Sequence, residues 1–443
     1  MKRQRGTGRG RRTAATLYGR AAGRAAGRAA GALAAALCAG LALPGGAWAA
    51  GDGGGYGFDG GAQRVKGAVS NLDAERLTAG RTYRDTIKKD GKLYYRVDLD
   101  DKQNAYVSVV AVPAKGAKAG YGDGIKVTML DGSNSQCGYQ STSFSFGDHS
   151  RPVVAYADRT IEPDSTSCRQ AGTYYALVER ESKEGSDGGD WELEIRYLTE
   201  PAVAKAGPTA LPSTWASGTP QPPAGGPRRR DGGAGLHDAV SLTQGEWRTD
   251  IRPGQTVYYR VPVDWGQQLF TTAELGSSPA GDAYVGNALM LSLENPARGH
   301  VDQDTMTYSG DPATMSLDPH RPVAYENRFD SSDSTSGMRF AGWYYLSATL
   351  SPEMATAYGD KALPLTLKVN VTGQAAPAPA YVGGAGVFSV TEDDRDAAAS
   401  GQSGPEAEER SGTLRIVGVA GIGAGGVLLL GLGAWWLLAR RTR

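Results

Sequence analysis

The sequence predicts an all-β protein: two tandem antiparallel β-sandwiches followed by one C-terminal transmembrane helix. Three observations support this fold class. Blocks of sequence recur in the same order at an offset of roughly 164 to 170 residues, apolar and polar residues alternate within each copy, and one long uncharged run lies near the C-terminus. The 443 residues, of which 40% are hydrophobic, leave room for two or three domains.

Residues 1–49 are predicted to be an export signal. They carry nine Lys and Arg and no acid, continue into an apolar stretch, and end in Ala47-Trp48-Ala49, which is typical of cleavage after Ala49. Without them, 38 basic residues face 47 acidic ones, a formal charge of −9. This charge argues against a nucleic-acid partner. A Gly-rich N-terminal segment, residues 50–70, follows.

Two copies of one domain are predicted, at residues 71–200 and 237–373. The motif Tyr-Tyr-Arg-Val at 94–97 recurs at 258–261, and the motif Ala-Gly-x-Tyr-Tyr also appears once in each copy. Each copy is too large to be a solenoid repeat. The order and spacing of the shared motifs therefore indicate a duplicated domain.

Each copy shows the period-two pattern of antiparallel strands. Alternate residues of 95–99, 191–197 and 259–263 are apolar, which predicts one face buried and one face in water. Short apolar runs separated by Gly, Asp, Asn and Pro predict seven or eight strands per copy, as a sandwich requires. No amphipathic helix is predicted outside the membrane segment.

The order of these motifs resembles the bacterial pre-peptidase C-terminal domain. Thr86-Ile87 or Asp250-Ile251, a Gly three or four residues later, the Tyr-Tyr-x-Val strand, the Ala-Gly-x-Tyr-Tyr strand and a closing alternating strand carry the resemblance. It covers both copies, roughly 260 of the 443 residues. It implies jelly-roll-like sandwiches that act as non-catalytic modules of secreted proteins. Here no peptidase domain is predicted beside the modules.

Two segments are predicted to be spacers. Residues 201–236 are rich in Pro and Gly, which predicts a linker that lets the two sandwiches move independently. Residues 374–412 begin with Pro and Gly and end with acidic residues. They are predicted to form a flexible acidic stalk of roughly 35 Å.

Residues 413–443 are predicted to form a transmembrane helix and a short basic tail. Residues 416–439 are uncharged and would span about 36 Å as a helix, enough for a hydrocarbon core of roughly 30 Å. Arg440, Arg441 and Arg443 follow and predict a cytoplasmic C-terminus. The predicted location is the cell membrane, with a single pass and an extracellular N-terminal ectodomain.

Cys137 and Cys168 are the two cysteines that remain after export, and both lie in the first copy. An even pair in an oxidising compartment predicts a disulfide. Closing a loop of about 30 residues would contribute roughly 3 to 4 kcal/mol in the chain-entropy model.

His149 and His320 are the candidates for a general base, because each precedes Arg-Pro-Val and follows Asp148 or a Pro next to Asp318. A framework role in a turn is the favoured interpretation, since the sequence carries no nucleophile, zinc-protease or phosphate-loop motif. No catalytic residue is assigned, and the protein is predicted not to be an enzyme.

Calcium is the cofactor that the acidic loops raise. Asp98, Asp100 and Asp101 form one cluster, and Asp330 with Asp333 forms another. Neither follows the regular ligand spacing of a calcium loop, so solvated turns are favoured. Calcium stays an open alternative, and no metal or cofactor site is assigned.

Pairs of adjacent tyrosines at 94/95, 174/175, 258/259 and 344/345 place one member of each pair on the outer face of a strand. Such a tyrosine packs across strands, stacks on a sugar or anchors a protein partner. The predicted function is a non-catalytic, membrane-anchored binding and display protein that engages a protein or an envelope glycan through its sandwiches. The alternatives are a scaffolding subunit of a cell-envelope membrane complex and, second, a cryptic secreted hydrolase.

Overall fold

The computed structural model describes residues 55–145, 149–161, 167–205, 207–218, 220–278 and 283–410. The predicted export signal and the predicted transmembrane segment, residues 416–439, lie outside these residues. Within the described ranges, no helix combines the length and the apolar character needed to cross a membrane.

Twenty strands and three α-helices form the described part of the chain. The strands of the first half are β1 (Gln63–Arg64), β2 (Glu75–Arg76), β3 (Arg81–Ile87), β4 (Lys92–Leu99), β5 (Asn104–Val112), β6 (Gly124–Leu130), β7 (Gln136–Ser143), β8 (Val153–Arg159), β9 (Gly172–Glu181) and β10 (Trp191–Glu200). The strands of the second half are β11 (Pro227–Arg229), β12 (Val240–Ser241), β13 (Gly245–Ile251), β14 (Thr256–Val263), β15 (Gln268–Leu275), β16 (Val285–Glu294), β17 (His300–Tyr308), β18 (Ala313–Ser316), β19 (Gly342–Leu350) and β20 (Leu363–Thr372). The helices are α1 (Asp333–Ser336), α2 (Glu353–Tyr358) and α3 (Glu392–Ser400).

Four five-stranded sheets contain these strands. In the first half, sheet I has the order β2-β4-β9-β6-β7 and sheet II the order β1-β3-β10-β5-β8. In the second half, sheet III has the order β12-β14-β19-β16-β17 and sheet IV the order β11-β13-β20-β15-β18. Adding ten to every strand number of the first half reproduces the second. The strand order thus repeats with the sequence motifs.

Each half has a β-sandwich-like core between its two sheets. Tyr95 and Val97 of sheet I pack into one cluster with Leu193 and Ile195 of sheet II, and all four side chains are buried. The second half has an equivalent cluster between sheets III and IV. The alternation in the sequence identifies these inward residues correctly, because successive side chains of a strand point to opposite faces of the sheet.

Sheets II and III also pack against each other, and we call this contact the seam. Tyr106 and Leu198 of sheet II form a buried cluster with Ala297 and Phe340 of the second half. Strand β5 is therefore buried on both faces along almost its whole length. The prediction that the two sandwiches move independently is wrong for this arrangement, as is the prediction that every sheet has one face in water.

Residues 374–410, which we call the strap, return across the seam. Phe388 is fully buried and stacks on Phe340 at a centroid distance of 4.6 Å. Helix α3 begins with a capping box at Thr391, and Asp394 accepts a hydrogen bond of 2.8 Å from Nε1 of Trp343. The prediction of a flexible stalk is wrong for these residues, because a buried aromatic ring and a capped helix hold them on the second half.

The predicted disulfide is confirmed. Cys137 lies on the edge strand β7, Cys168 precedes β9, and their sulfur atoms are 2.00 Å apart. The bond ties an edge strand of sheet I, which has a neighbour on only one side, to the loop before a central strand.

Candidate functional site

The outward face of sheet III, which we call the docked face, forms its side of the seam. Strand register places Arg260, Tyr345 and Glu294 in one row across three strands, and Tyr258 with Ser292 in the next. All five side chains are buried. Leu236 and Ala239, in the loop before β12, complete the docked face and pack with Tyr258 and Tyr345.

A hairpin tip carries the main ionic contact of the seam. Residues 295–299 join β16 to β17, and the guanidinium of Arg298 donates to Oε1 of Glu194 at 2.7 Å. Both side chains are at most 1% exposed. Tyr56 also donates to this carboxylate, at 3.1 Å. Glu194 alternates with apolar residues on β10 and reads as a solvent-facing residue, so sequence reasoning missed it.

Burial and charge shift two other groups at the seam. Burial alone would raise the pKa of Tyr345, but Arg196, Arg298 and Arg260 outweigh it and lower that pKa. Burial raises the pKa of Glu294 to about 8. Glu294 therefore holds a proton at neutral pH in the folded protein.

Sheet I carries the equivalent face, and in the described structure no other sheet packs on it. Tyr94 and Leu177 are opposed in β4 and β9, as Tyr258 and Ser347 are in β14 and β19. We call this surface the free face. Three of its outward side chains, Thr128, Leu130 and Leu177, are buried among their neighbours. The outward side chains include Lys92, Tyr94, Arg96, Asp98, Lys126, Thr128, Leu130, Tyr139, Thr173, Tyr175, Leu177 and Glu179.

Several positions of the free face are more apolar than their counterparts on the docked face. The shared register sets Leu177 against Ser347 and Leu130 against Glu294. In the same way Tyr139, which is 56% exposed, corresponds to Gln303. Other positions of the free face are more polar or carry an added charge: Lys126 stands for Met290, Thr173 for Trp343, Asp98 for Pro262, Lys92 for Thr256 and Glu179 for Thr349.

The loop beside the free face adds two exposed apolar side chains. Residues 69–74 lie between a bridge to Tyr94 and strand β2, as residues 234–239 lie between a bridge to Tyr258 and β12. Val69 is 86% exposed and Leu72 is 88% exposed, whereas Leu236 of the equivalent loop is 2% exposed. Exposed aliphatic residues beside an apolar sheet face are typical of an interaction surface.

The hairpin tip at residues 131–135 has the same turn as the tip at 295–299. Oδ1 of Asp131 accepts from the amides of Ser133 and Ser135, and Oδ1 of Asn295 accepts from the equivalent amides two and four residues on. Asn134 has a φ of 65° and Arg298 a φ of 62°, so both sit in the left-handed region. The two halves thus share the docking framework, and the residue at its tip differs.

The outward face of sheet IV is polar. Lys368 pairs with Glu274 at 2.9 Å, and Thr272 bonds Ser316 at 2.8 Å. These side chains occupy the strands equivalent to β10, β5 and β8 of sheet II, where Val110, Val112 and Val154 pack at the seam. Sheet IV therefore lacks the surface that receives the docked face.

The histidine and acidic candidates lie elsewhere and do not form a shared site. His320 is 3% exposed, its Nε2 atom lies 3.5 Å from Asp302, and burial lowers its pKa. His149 is half-buried, and its neighbour Asp148 lies outside the described residues. Asp98 pairs with Arg76 and Arg96, both at 2.9 Å, which explains it as part of the sheet surface. Across the described ranges, no group of three His, Cys, Asp or Glu side chains is arranged to hold a metal ion.

The predicted outer tyrosines fall into two classes. Tyr94 and Tyr175 are half-buried on the free face, whereas Tyr258 and Tyr345 are buried at the seam. The repeated motif identified all four, but the sequence pattern contained no signal that separates an open face from a docked one at these positions.

No protein-family model and no curated protein matches this sequence. Solved structures with some likeness include a tandem CBM22-1-CBM22-2 domain of Xyn10C from Paenibacillus barcinonensis, 13% identical, which covers 72% of this chain and 94% of its own with a TM-score of 0.19. The structure of broad bean stain virus is 10% identical, with 70% of this chain and 94% of its own covered and a TM-score of 0.17. The structure of cowpea mosaic virus is 11% identical, with 74% of this chain and 96% of its own covered and a TM-score of 0.19. Likeness at these TM-scores carries no argument about function. The resemblance to the pre-peptidase C-terminal domain stays a prediction.

Proposed function

We propose that this chain is an exported, membrane-anchored, non-catalytic binding protein whose first half engages a protein partner through the free face. One observation carries the proposal: the equivalent face of the second half already binds protein, since it packs against sheet II at the seam. A face that keeps this framework and gains apolar residues such as Leu177 and Tyr139, yet has no sheet of the described residues packed on it, is suited to a partner outside the chain.

A protein partner is favoured over an envelope glycan by the loop beside the face. Val69 and Leu72 are almost fully exposed and carry no polar side-chain atom that could bond a sugar hydroxyl. Covering large exposed aliphatic side chains with another apolar surface removes them from water, which favours binding. Tyr139 would add an aromatic anchor at the far side of the same face.

The non-catalytic role is supported by the surroundings of His320. Its side chain is enclosed, and its ring faces Asp302 rather than Asp318. A general base must reach a substrate proton within hydrogen-bond distance, and an imidazole that is 3% exposed offers little surface for that contact.

Export and anchoring rest on the sequence patterns of residues 1–49 and 416–439, and the jelly-roll-like class of the sandwiches rests on the resemblance. Both belong to the proposal. A disulfide between Cys137 and Cys168 supports an oxidising compartment for the folded part.

The test is co-purification of the full chain from native membranes in detergent. We expect wild type and a control variant on sheet IV, Thr366→Lys, to retain the same partner, and Leu72→Lys, at a side chain 88% exposed beside the free face, to lose it. Partner retention by all three proteins, or recovery of glycan without protein, would contradict the proposal. A stoichiometric partner that survives high salt would identify the protein as a scaffolding subunit.

A further inference from the structure

We propose that the strap holds the seam closed, and that the two halves separate when residues 374–410 leave their docked position. Sheets II and III form the seam, and the strap is a third element that contacts both of its sides. This conformational change goes beyond the proposed function, and it does not depend on a partner of the free face.

The C-terminal part of the strap is fixed to the second half. Helix α3 carries Arg395, which pairs at 2.8 Å with Asp264 in the loop between β14 and β15. Beyond the helix, the carbonyl oxygen of Gln402 accepts a hydrogen bond of 3.0 Å from the amide of Ser241 on β12. Both contacts are with the second half, so they hold the strap there independently of the seam.

The N-terminal part of the strap is bound to the first half. The hydroxyl of Tyr381 donates a hydrogen bond of 2.8 Å to Oε1 of Glu200, which is 1% exposed at the end of β10. Side chains of β5 donate to the other carboxylate oxygen at 2.7 and 2.8 Å. Residues 380–382 also exchange two backbone hydrogen bonds, both of 2.7 Å, with residues 202–204, which continue from β10. The strap therefore supplies a donor that a buried carboxylate of the first half needs.

Between these two attachments, Phe388 lies at the contact of the two halves. Its ring centroid is 5.9 Å from that of Tyr106 in sheet II and 4.6 Å from that of Phe340 in the second half. The side chain is fully buried. Without it, a void would remain beside both rings, and voids in buried clusters are strongly unfavourable. The strap is thus a part of the seam as well as a covering on the second half.

The seam also has contacts that do not involve the strap, and they include two ion pairs. Arg298 pairs with Glu194 at 2.7 Å, and Arg339 pairs with Asp158 at 3.3 Å. A buried ion pair stabilises little on balance, because removing both charges from water costs about as much as their attraction returns. Domains of one chain commonly move relative to each other unless the contact between them is large and apolar. The docked strap therefore shifts an equilibrium between a closed and an open seam towards the closed one.

Two neighbouring residues of β5 can report separately on the seam and on the core. Val110 is 1% exposed and faces the seam, whereas Val109 is 0% exposed and faces the core between sheets I and II. Val110 lies four residues from Tyr106, roughly 13 Å along an extended strand, so it is remote from the void that loss of Phe388 would leave. A thiol at position 110 reacts when the seam opens, and one at position 109 reacts when the first half unfolds.

The test is the rate at which iodoacetamide modifies each thiol in the full chain, in detergent and under native conditions. Val110→Cys and Val109→Cys are each combined with an unchanged strap, with Phe388→Ala and with Tyr381→Phe. The matched control is Val382→Ala, in the strap beside Tyr381, at a side chain 62% exposed. Mass spectrometry assigns the modified residue.

For Val110→Cys, we expect Phe388→Ala to raise the rate about 100-fold, because it removes a buried aromatic side chain. Tyr381→Phe should raise it about 10-fold, because Glu200 loses a hydrogen bond. Val382→Ala should change it less than about threefold, as exposed substitutions usually do. For Val109→Cys, all rates should stay within about threefold of the unchanged strap.

Two outcomes would overturn the proposal. An unchanged rate for Val110→Cys in both strap variants would show that the seam closes without the strap. Equal acceleration of both reporters would show that the variants unfold the first half. Tyr381→Phe keeps the ring and removes a single hydroxyl, so it decides the matter if Phe388→Ala does not fold. Neither outcome affects the proposed protein binding, which co-purification tests separately.

Discussion

The outward faces of sheets I and III have the same strands, the same register and the same pair of flanking loops, yet one is open and the other is enclosed within the chain. The enclosed face carries Arg260, Ser347 and Glu294 at positions where the open face carries Arg96, Leu177 and Leu130. The comparison shows that a duplicated sandwich keeps its docking framework while the side chains on it change. Burial at the seam therefore depends on the side chains of sheet II as much as on those of the docked face.

The difference also has a direction. Sheet II receives sheet III, so the two halves stack head to tail, which leaves one face of each type unused. The unused face of the first half mixes aromatic and aliphatic side chains with charged ones such as Arg96 and Lys126, whereas that of the second half is polar. The same arrangement therefore leaves the outward faces of sheets I and IV unused, and the two differ in character.

The largest expected difference in the free energy of unfolding is between substitutions at the two hairpin tips. Arg298→Met removes the cation that pairs with the buried carboxylate of Glu194 and leaves it only the hydrogen bonds from Tyr56 and the amide of Asp59. We therefore expect a loss of about 3 kcal/mol or more in the free energy of unfolding. Asn134→Ala at the equivalent tip should cost less, about 1 kcal/mol, because alanine tolerates the left-handed backbone there less well than asparagine and loses the hydrogen bond from Asn71. Urea unfolding of both variants measures the difference. Equal losses would show that the seam contributes no special stability.

A second pair separates the two loops. Leu236→Ala removes a buried side chain from the seam and should cost about 3 kcal/mol. Leu72→Ala, in the equivalent loop, should leave the unfolding free energy within about 0.5 kcal/mol and instead weaken partner binding. Thermal unfolding and co-purification, measured on the same samples, give both values. A large loss of stability from Leu72→Ala would mean that the free face is covered within the chain.

A third prediction uses pH to probe the row of Tyr345. Burial raises the pKa of Glu294 from an ordinary 4.5 to about 8, so the folded protein holds a proton that the unfolded chain releases. The contribution of this group to stability is complete below pH 4.5 and is lost as the pH rises through 8. Glu294→Gln keeps the neutral form, and in urea unfolding at pH 6.5 it should be more stable than wild type by about 3 kcal/mol. The gain should vanish near pH 4, and a gain that is constant with pH would refute the shifted pKa as its cause.

The smallest expected effect on stability lies on the free face. Tyr139→Gln introduces the residue type of the docked face at that position and removes a contact in which Nζ of Lys126 lies 4.9 Å from the ring centroid. An exposed contact of this kind is worth about 0.5 kcal/mol. Calorimetry should therefore show little change, while co-purified partner should fall several-fold. An unchanged partner yield would exclude Tyr139 from the interface.

The duplication, the inward residues and the disulfide could be predicted because each depends on local pattern. Alternation identifies the face that meets a core, and it identified Tyr95, Val97, Leu193 and Ile195 correctly. Alternation could not show that Glu194 lies at the seam, because a carboxylate on the polar face of a strand is usually in contact with water. The run at 105–112 did contain a signal, since a nearly continuous apolar strand indicates burial on both sides.

The strap shows why composition alone misled. Residues 374–412 are rich in Pro, Gly and acidic side chains, which is typical of a disordered spacer. Two short-range features contradicted that average: the aromatic residues Tyr381 and Phe388, and the Thr391-x-x-Asp394 spacing of a helix start. The free face could not be recognised from the sequence, because its openness depends on the absence of a docked sheet.

The strap also changes how far the folded part can stand from a lipid bilayer. Because residues up to 410 are held on the second half, only residues 411–415 remain before the apolar run at 416. Six peptide steps reach at most about 20 Å, less than the average span of the spacer that composition suggests. If the apolar run crosses the bilayer as proposed, the folded part lies close to the lipid headgroups. Proteins anchored in the same membrane are then within easier reach of the free face than proteins far from the membrane.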